Sequence, residues 1–108
     1  MRLKIVKDMD FLKEPCEAVT DFKEAEEIAR DLLKFLDKTK IGVGIAANQI
    51  GINKRICVIN VAQPMYFFNP VITGAAGSIK FREGCLSFPD VTVVTKRYRK
   101  VSVKADNF

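Results

Sequence analysis

Only one stretch of this chain carries helical periodicity over any length; every other apolar run is short and rich in β-branched or aromatic residues. Phe22, Ala25, Ile28, Ala29, Leu32, Leu33 and Leu36 recur at the spacing of one helix face. Asp21 followed three residues later by Glu24 has the pattern of a capping box. The spacing predicts one amphipathic helix over about 21–38, with Lys23, Glu26, Glu27, Arg30, Asp31 and Lys34 on its wet face. After Gly51 the pattern changes, and residues 55–61, 66–72, 78–82, 91–95 and 101–104 read as five strands, with a smaller one at 3–6. Ala62-Gln63-Pro64, the stretch 74–77 and Phe88-Pro89-Asp90 punctuate them. A helix followed by a run of strands predicts an α+β fold: one long N-terminal helix packed on mainly antiparallel strands.

At 108 residues, of which 48% are hydrophobic and 29% charged, the expectation is a single domain over 1–108 with enough apolar side chains for a core. Disordered and fibrous classes are excluded by that balance. No apolar stretch approaches the roughly 18 residues of a membrane helix, and Met1-Arg2-Leu3-Lys4-Ile5 opens no signal-peptide core. The expected location is therefore the cytoplasm, or an organellar stroma or matrix in a eukaryote, with no membrane partner. Three cysteines, Cys16, Cys57 and Cys85, are an odd number at wide spacing, which argues for free thiols in a reducing compartment. The chain has no histidine, which removes the commonest general base and metal ligand. A second helix to cover the strands is missing, so either the single helix suffices, or an apolar face is left for a partner, or the polypeptide continues beyond these residues.

Charge is unevenly spread. Residues 1–40 hold nine Lys/Arg against ten Asp/Glu, whereas residues 41–108 hold nine against three. The cluster Lys96-Arg97-Tyr98-Arg99-Lys100 could attract phosphate backbones, which would show as an RNA affinity falling steeply with salt. Such runs more often protect an edge strand or form a solvated face, so no specific nucleic acid is expected.

Two clusters carry the chemistry. Gly42-Val43-Gly44-Ile45-Ala46-Ala47-Asn48-Gln49-Ile50-Gly51 is dense in small residues, which let another backbone approach closely. It lacks the third glycine of a dinucleotide fingerprint and follows a helix rather than a strand. Gln49 is an amide among small apolar residues and needs a hydrogen-bond partner, which a ligand or the fold itself can be. In the second cluster, Glu83-Gly84-Cys85-Leu86-Ser87, a cysteine beside a flexible glycine follows a strand. Cys85 on its own reads equally well as a structural thiol and as a reactive one. Cys57, inside Ile56-Cys57-Val58-Ile59, reads as a buried small hydrophobe, and Cys16 as local packing.

Taken together, the two clusters resemble the first two signatures of the peptide deformylases, Gly-Φ-Gly-Φ-Ala-Ala-x-Gln and Glu-Gly-Cys-Φ-Ser, in the right order and spacing. The segment from Phe11 to Val19, the long helix and residues 101–104 also fall where that family has comparable elements. The resemblance implies a metal-dependent hydrolase that removes the formyl group from the formyl-methionine starting new polypeptides, as part of protein biosynthesis and in the vicinity of ribosomes. It makes Cys85 a metal-ligand thiolate, with Fe2+ first and Zn2+, Ni2+ or Co2+ as alternatives. It makes Gln49 and the backbone N–H of Leu86 the donors to the developing oxyanion. Val43 and Gly44 on one side and Gly84 on the other would hold an extended substrate, and Glu83 would orient the site. Small residues at Gly44, Ala46 and Ala47 would leave room for the formyl group.

The departure from the family is large. Its third signature, His-Glu-x-x-His on a helix, supplies two metal ligands and the proton-moving Glu, and this sequence holds none of it. The expectation is therefore the N-terminal portion of a peptide-deformylase-like fold, incomplete in its 108-residue form and lacking the C-terminal metal-binding helix. The alternative is a non-catalytic module that keeps the cleft and binds formyl-Met N-termini without cleaving them. Thr92 stands where many bacterial members carry an arginine, so contacts to a substrate carboxylate are expected to differ.

Overall fold

The structure, a computed structural model, describes the backbone of residues 5–39, 42–85, 88–97 and 100–107, and side chains at 5–39, 42–78 and 100–107. The long helix forms where its periodicity predicts, as α2 (Phe22–Thr39). Asp21 starts it: its carboxylate Oδ1 accepts from the backbone N–H of Lys23 and of Glu24, both at 3.1 Å, satisfying donors the first turn leaves open. At the other end the Thr39 hydroxyl donates to the Leu36 carbonyl at 2.8 Å. Ala25, Ala29, Leu32 and Leu36 form its buried stripe.

That stripe packs on a three-stranded antiparallel sheet in the order β1 (Gly44–Ala46), β2 (Ile56–Asn60), β3 (Pro64–Phe68). Ile45, Ile56, Val58 and Phe68 point inward from the strands to meet the helix, and Ala47 and Ile50 close the end of the core. The small Ala25 and Ala29 allow a close approach of helix to sheet, and the larger Leu32 and Leu36 fill the space farther along. A 3-10 turn, Ala47–Ile50, links β1 to β2 and ends on Gly51 at φ 88, a left-handed conformation that a side chain would strain.

Past this sheet the chain departs from the expected strand pattern. The segment 66–72, read as one strand, breaks at Asn69, whose φ of 51 turns the backbone. Residues before it belong to β3, and residues after it form β4 (Val71–Ala76). β4 leaves the first sheet and pairs antiparallel with β7 (Lys100–Lys104), while β5 (Ile79–Cys85) pairs with β6 (Phe88–Arg97). Gly74, read as part of a turn, lies within β4; the turn comes at Gly77, where φ is 73. Phe88-Pro89-Asp90 likewise opens β6 rather than punctuating it. Leu3 and Lys4 of the smallest predicted strand lie outside the described residues, and Ile5 to Asp8 are not in a strand. A short helix follows instead, α1 (Met9–Lys13), capped by the Asp8 carboxylate on the N–H of Asp10 at 3.0 Å.

Among the described residues both α-helices precede β1, and neither is long and apolar enough to cross a membrane. The β4–β7 ribbon carries exposed apolar side chains. Ile72 faces Val103, with Val101 two residues along the same face, and the three are 64%, 47% and 50% exposed.

Asn69 ties distant segments together. Its Oδ1 accepts from the Val19 N–H at 2.7 Å, and its Nδ2 donates to the Val19 carbonyl at 3.0 Å and to the Asp106 carboxylate at 2.7 Å. Asn69→Ala loses all three bonds and places a Cβ residue without a polar side chain in the left-handed region. The expected loss is about 2–3 kcal/mol in urea unfolding. Asn69→Gly removes the conformational part and should recover about 1 kcal/mol of it; equal destabilisation by the two would show that conformation contributes nothing.

Candidate active site

β1 begins inside the small-residue cluster, a strand that was not expected because three residues are too few to display alternation. Its register on β2 sets Gly44 opposite Ile59, Ile45 opposite Val58 and Ala46 opposite Cys57. The N–H of Asn60 donates to the Val43 carbonyl at 2.8 Å, so the pair Val43–Asn60 is a hydrogen-bonded one. Hydrogen-bonded and non-bonded pairs alternate along an antiparallel ladder, so Ile45 turns its main-chain groups to β2 while Gly44 and Ala46 turn theirs to the outer edge. Because β1 is terminal in its sheet among the described residues, that edge is where an extended chain can add. Close approach also governs position 44: a Cβ there would come within 3.3 Å of the Val58 carbonyl oxygen. Val43, just before the strand, is 62% exposed.

The outward-facing N–H of Ala46 is taken by Gln49. Gln49 sits in the 3-10 turn, and its side-chain Oε1 accepts from Ala46 N–H at 2.9 Å. An amide has one acceptor end and one donor end. With Oε1 held by the main chain, Nε2 is the donor end of the amide. The backbone of the same turn is held from outside: the Gln49 carbonyl accepts from Val6 N–H at 2.7 Å, and Asn48 Nδ2 donates to the Leu12 carbonyl at 3.2 Å. Sequence reasoning missed Ala46 and Asn48 in these roles. The signal for Asn48 lies in a helix 36 residues away, which no local pattern displays.

Glu83, Gly84 and Cys85 are the last three residues of β5. In the ladder with β6, Glu83 lies opposite Val93 and Gly84 opposite Thr92, after which the register breaks and Cys85 lies opposite Phe88. An irregularity of this kind bends the strand and re-aims the side chain that follows. Cys85 is thus placed at the point where the regular ladder ends. Leu86 and Ser87 lie outside the described residues, as do the side chains of Glu83 and Cys85. Of the basic cluster, Tyr98 and Arg99 lie outside the described residues, and Lys100 is exposed at the start of β7. Val43, Gly44 and Gln49 are therefore brought together on β1 and its turn, and Glu83, Gly84 and Cys85 on the end of β5.

The other two cysteines behave differently. Cys57 is half-buried rather than buried, because it alternates with the inward-facing Ile56 and Val58 and so lies on the sheet face away from α2. Burial still pushes its thiol up, so it stays protonated at neutral pH and is a poor nucleophile or metal ligand. Cys16 is half-buried beside the bridge between Glu17 and Lys54.

A catalytic iron or zinc site takes about three protein ligands around an open position. This chain has no imidazole, the Cys57 thiol stays protonated, and among the described residues no group of three or more His, Cys, Asp or Glu is placed to hold an ion. The described residues do not fit a working metal site by themselves.

The chain matches the family model for polypeptide deformylase over residues 2–108. It is 40% identical over 106 residues to the peptide deformylase of Aquifex aeolicus, which covers 91% of this chain and 62% of that one. It is 38% identical over 103 residues to that of Acidobacterium capsulatum, covering 89% and 60% of the two chains. Among solved structures, the Legionella pneumophila peptide deformylase superposes with a TM-score of 0.89 at 31% identity, over 95% of this chain and 64% of that one. A Plasmodium falciparum peptide deformylase in complex with inhibitor gives 0.85 at 35% identity, over 94% and 65%. The chain spans about three-fifths of the length of these curated relatives. With the fold, both signatures and the family model agreeing along nearly all of its length, this chain belongs to the polypeptide deformylase family.

Proposed function

We propose that the chain supplies the substrate cleft and the oxyanion donors of a peptide deformylase that hydrolyses the N-formyl group from formyl-methionine at the start of new cytoplasmic polypeptides. Gly44, at the open edge of β1, receives the extended substrate, with Val43 at its entry and Gly84 facing it from β5. Gln49 Nε2 and the backbone N–H of Leu86 donate to the formyl oxygen as it gains charge, and fixed donors aimed at that oxygen are worth roughly 3 kcal/mol each. Cys85 is the one metal ligand this chain contributes, and Glu83 orients the strand end beside it. The other ligands come from outside these 108 residues, where the family's His-Glu-x-x-His signature belongs. Residues 1–108 then form the N-terminal portion of one domain.

The observation that carries this reading is the bond from Ala46 N–H to Gln49 Oε1, at 2.9 Å. It aligns the amide before any substrate arrives, and a preset donor needs no reorganisation during reaction.

The chain alone, incubated with Fe2+ or Zn2+ and a formyl-Met tripeptide, is expected to release no formate above the uncatalysed background. A chimaera extending it with the remaining part of the Aquifex aeolicus relative is expected to turn over. Formate release and free-amine appearance measure both. Turnover by the chain alone with retained stoichiometric metal, or a folded, metal-loaded chimaera without turnover, would overturn the reading.

A further inference from the structure

Beyond the two signatures, the segment from Ile5 to Glu17 runs beside the turn that carries Gln49 and is bonded to it and to the stretch that follows. Val6 N–H donates to the Gln49 carbonyl at 2.7 Å, and the Leu12 carbonyl accepts from Asn48 Nδ2 at 3.2 Å. Glu17 N–H donates to the Asn53 carbonyl at 3.3 Å, and its carbonyl accepts from Arg55 N–H at 2.9 Å. Of these four bonds, only the one at Asn48 uses a side chain on the turn, so only there can a substitution on the turn remove the bond directly. It reaches α1, a five-residue helix in which Phe11 and Leu12 are only half-buried and no residue is fully so.

The geometry points to Asn48 as a positioning residue for Gln49: it clamps the turn to α1, so that the main-chain bend between Ala46 and Gln49 keeps the amide aligned. This rests on the reading of Gln49 as an oxyanion donor. Asn48 fills a variable place in the first signature, so the motif itself assigns it nothing. Without its donor, the turn would still be closed by Gly51 N–H on the Asn48 carbonyl and Ile52 N–H on the Ala47 carbonyl, both at 3.1 Å. Fold and turn persist; what loosens is the hold of α1 on the residue beside Gln49.

Gln49 and the exposed Gln63 are the chain's only glutamines, so the side-chain amides of a 15N-labelled 108-residue sample provide the probe and its internal control. Asn48→Asp keeps the shape and replaces the donor with an acceptor that repels the Leu12 carbonyl. In that variant the Gln49 NH2 signals are expected to move toward those of Gln63, and their hydrogen exchange to quicken by about fivefold, the factor matching one net hydrogen bond. Gln63 should not change. A merely structural role would lower the urea midpoint and leave the Gln49 signals in place in the folded protein, and that result overturns the inference. Should the variant fail to fold, exchange in the unmodified chain at urea concentrations below its midpoint decides instead. Asn48 and Gln49 side-chain amides must then share one urea dependence, and different dependences overturn the clamp. Titration of the unmodified chain with a formyl-Met tripeptide separates the two readings. A Gln49 shift supports the donor role, whereas an unmoved pair refutes that role alone, because the Asn48 comparison is made without peptide.

Discussion

Gln49→Glu, introduced into the chimaera described above, is expected to lower kcat for formyl-Met peptides by about 100- to 1,000-fold, roughly 3 kcal/mol, with little change in KM. The substitution is chosen because a glutamate retains an oxygen for the Ala46 N–H, now bonded at 2.9 Å, so the turn keeps its internal closure. What changes is the other end of the side chain, where two donor hydrogens become a carboxylate oxygen. That oxygen repels the negative charge that builds on the formyl oxygen as the carbonyl is attacked. The loss belongs to the transition state because the ground-state carbonyl carries little charge, so it should fall on kcat and kcat/KM alike. Steady-state kinetics with a thermal melt of each variant checks it. A loss below tenfold at unchanged melting temperature would remove Gln49 from the catalytic machinery.

The largest stability effect is expected at Phe68. It is 2% exposed, stacks on Phe22 at 5.9 Å and tilts against Tyr66 at 5.3 Å between ring centroids. Its backbone also receives the chain's last described residues. Phe68 N–H donates to Asn107 Oδ1 at 2.9 Å, and its carbonyl accepts from Asp106 N–H at 2.8 Å. Phe68→Ala leaves a cavity where the sheet meets α2 and should cost about 3–5 kcal/mol. Folded domains have only about 5–15 kcal/mol in total, and small ones sit at the low end. With an m-value of about 2 kcal/mol/M, the urea midpoint should fall by roughly 2 M, or the protein should unfold without denaturant. Phe22→Ala, at a ring 45% exposed in the same stack, should shift it by much less. Comparable shifts for the two would show that the stack, rather than burial at the sheet, sets the stability.

Legibility in the sequence followed the range of the interaction that decides each feature. The long helix was readable because its cap, its stripe and its polar face all lie within the residues 21–39, and each follows from local geometry. The strand segments after Gly51 were readable as existing, from β-branched composition, but their ends were not. The break at Asn69 depends on an amide that bonds Val19, fifty residues away, and that partner makes the left-handed turn worthwhile. Pro89 gave the opposite error: it resembled a turn, yet it lies near the start of β6, beside the register break opposite Cys85, where a missing N–H is tolerated. The short α1 escaped because none of its five residues is fully buried and its partner, Asn48, lies on the other side of the long helix in sequence.

By itself, then, the sequence determined the class of fold, the two family signatures and the lack of histidine, because residue identity and local spacing settle all three. Three cysteines and no histidine is a count that no folding can change. Only the tertiary structure decided that Gln49 Oε1 is held by the Ala46 N–H, that β1 is terminal in its sheet among the described residues and that Asn48 ties the turn to α1. Those are matters of hydrogen-bond direction between segments far apart in the chain, and direction exists only once the backbone has been placed in space.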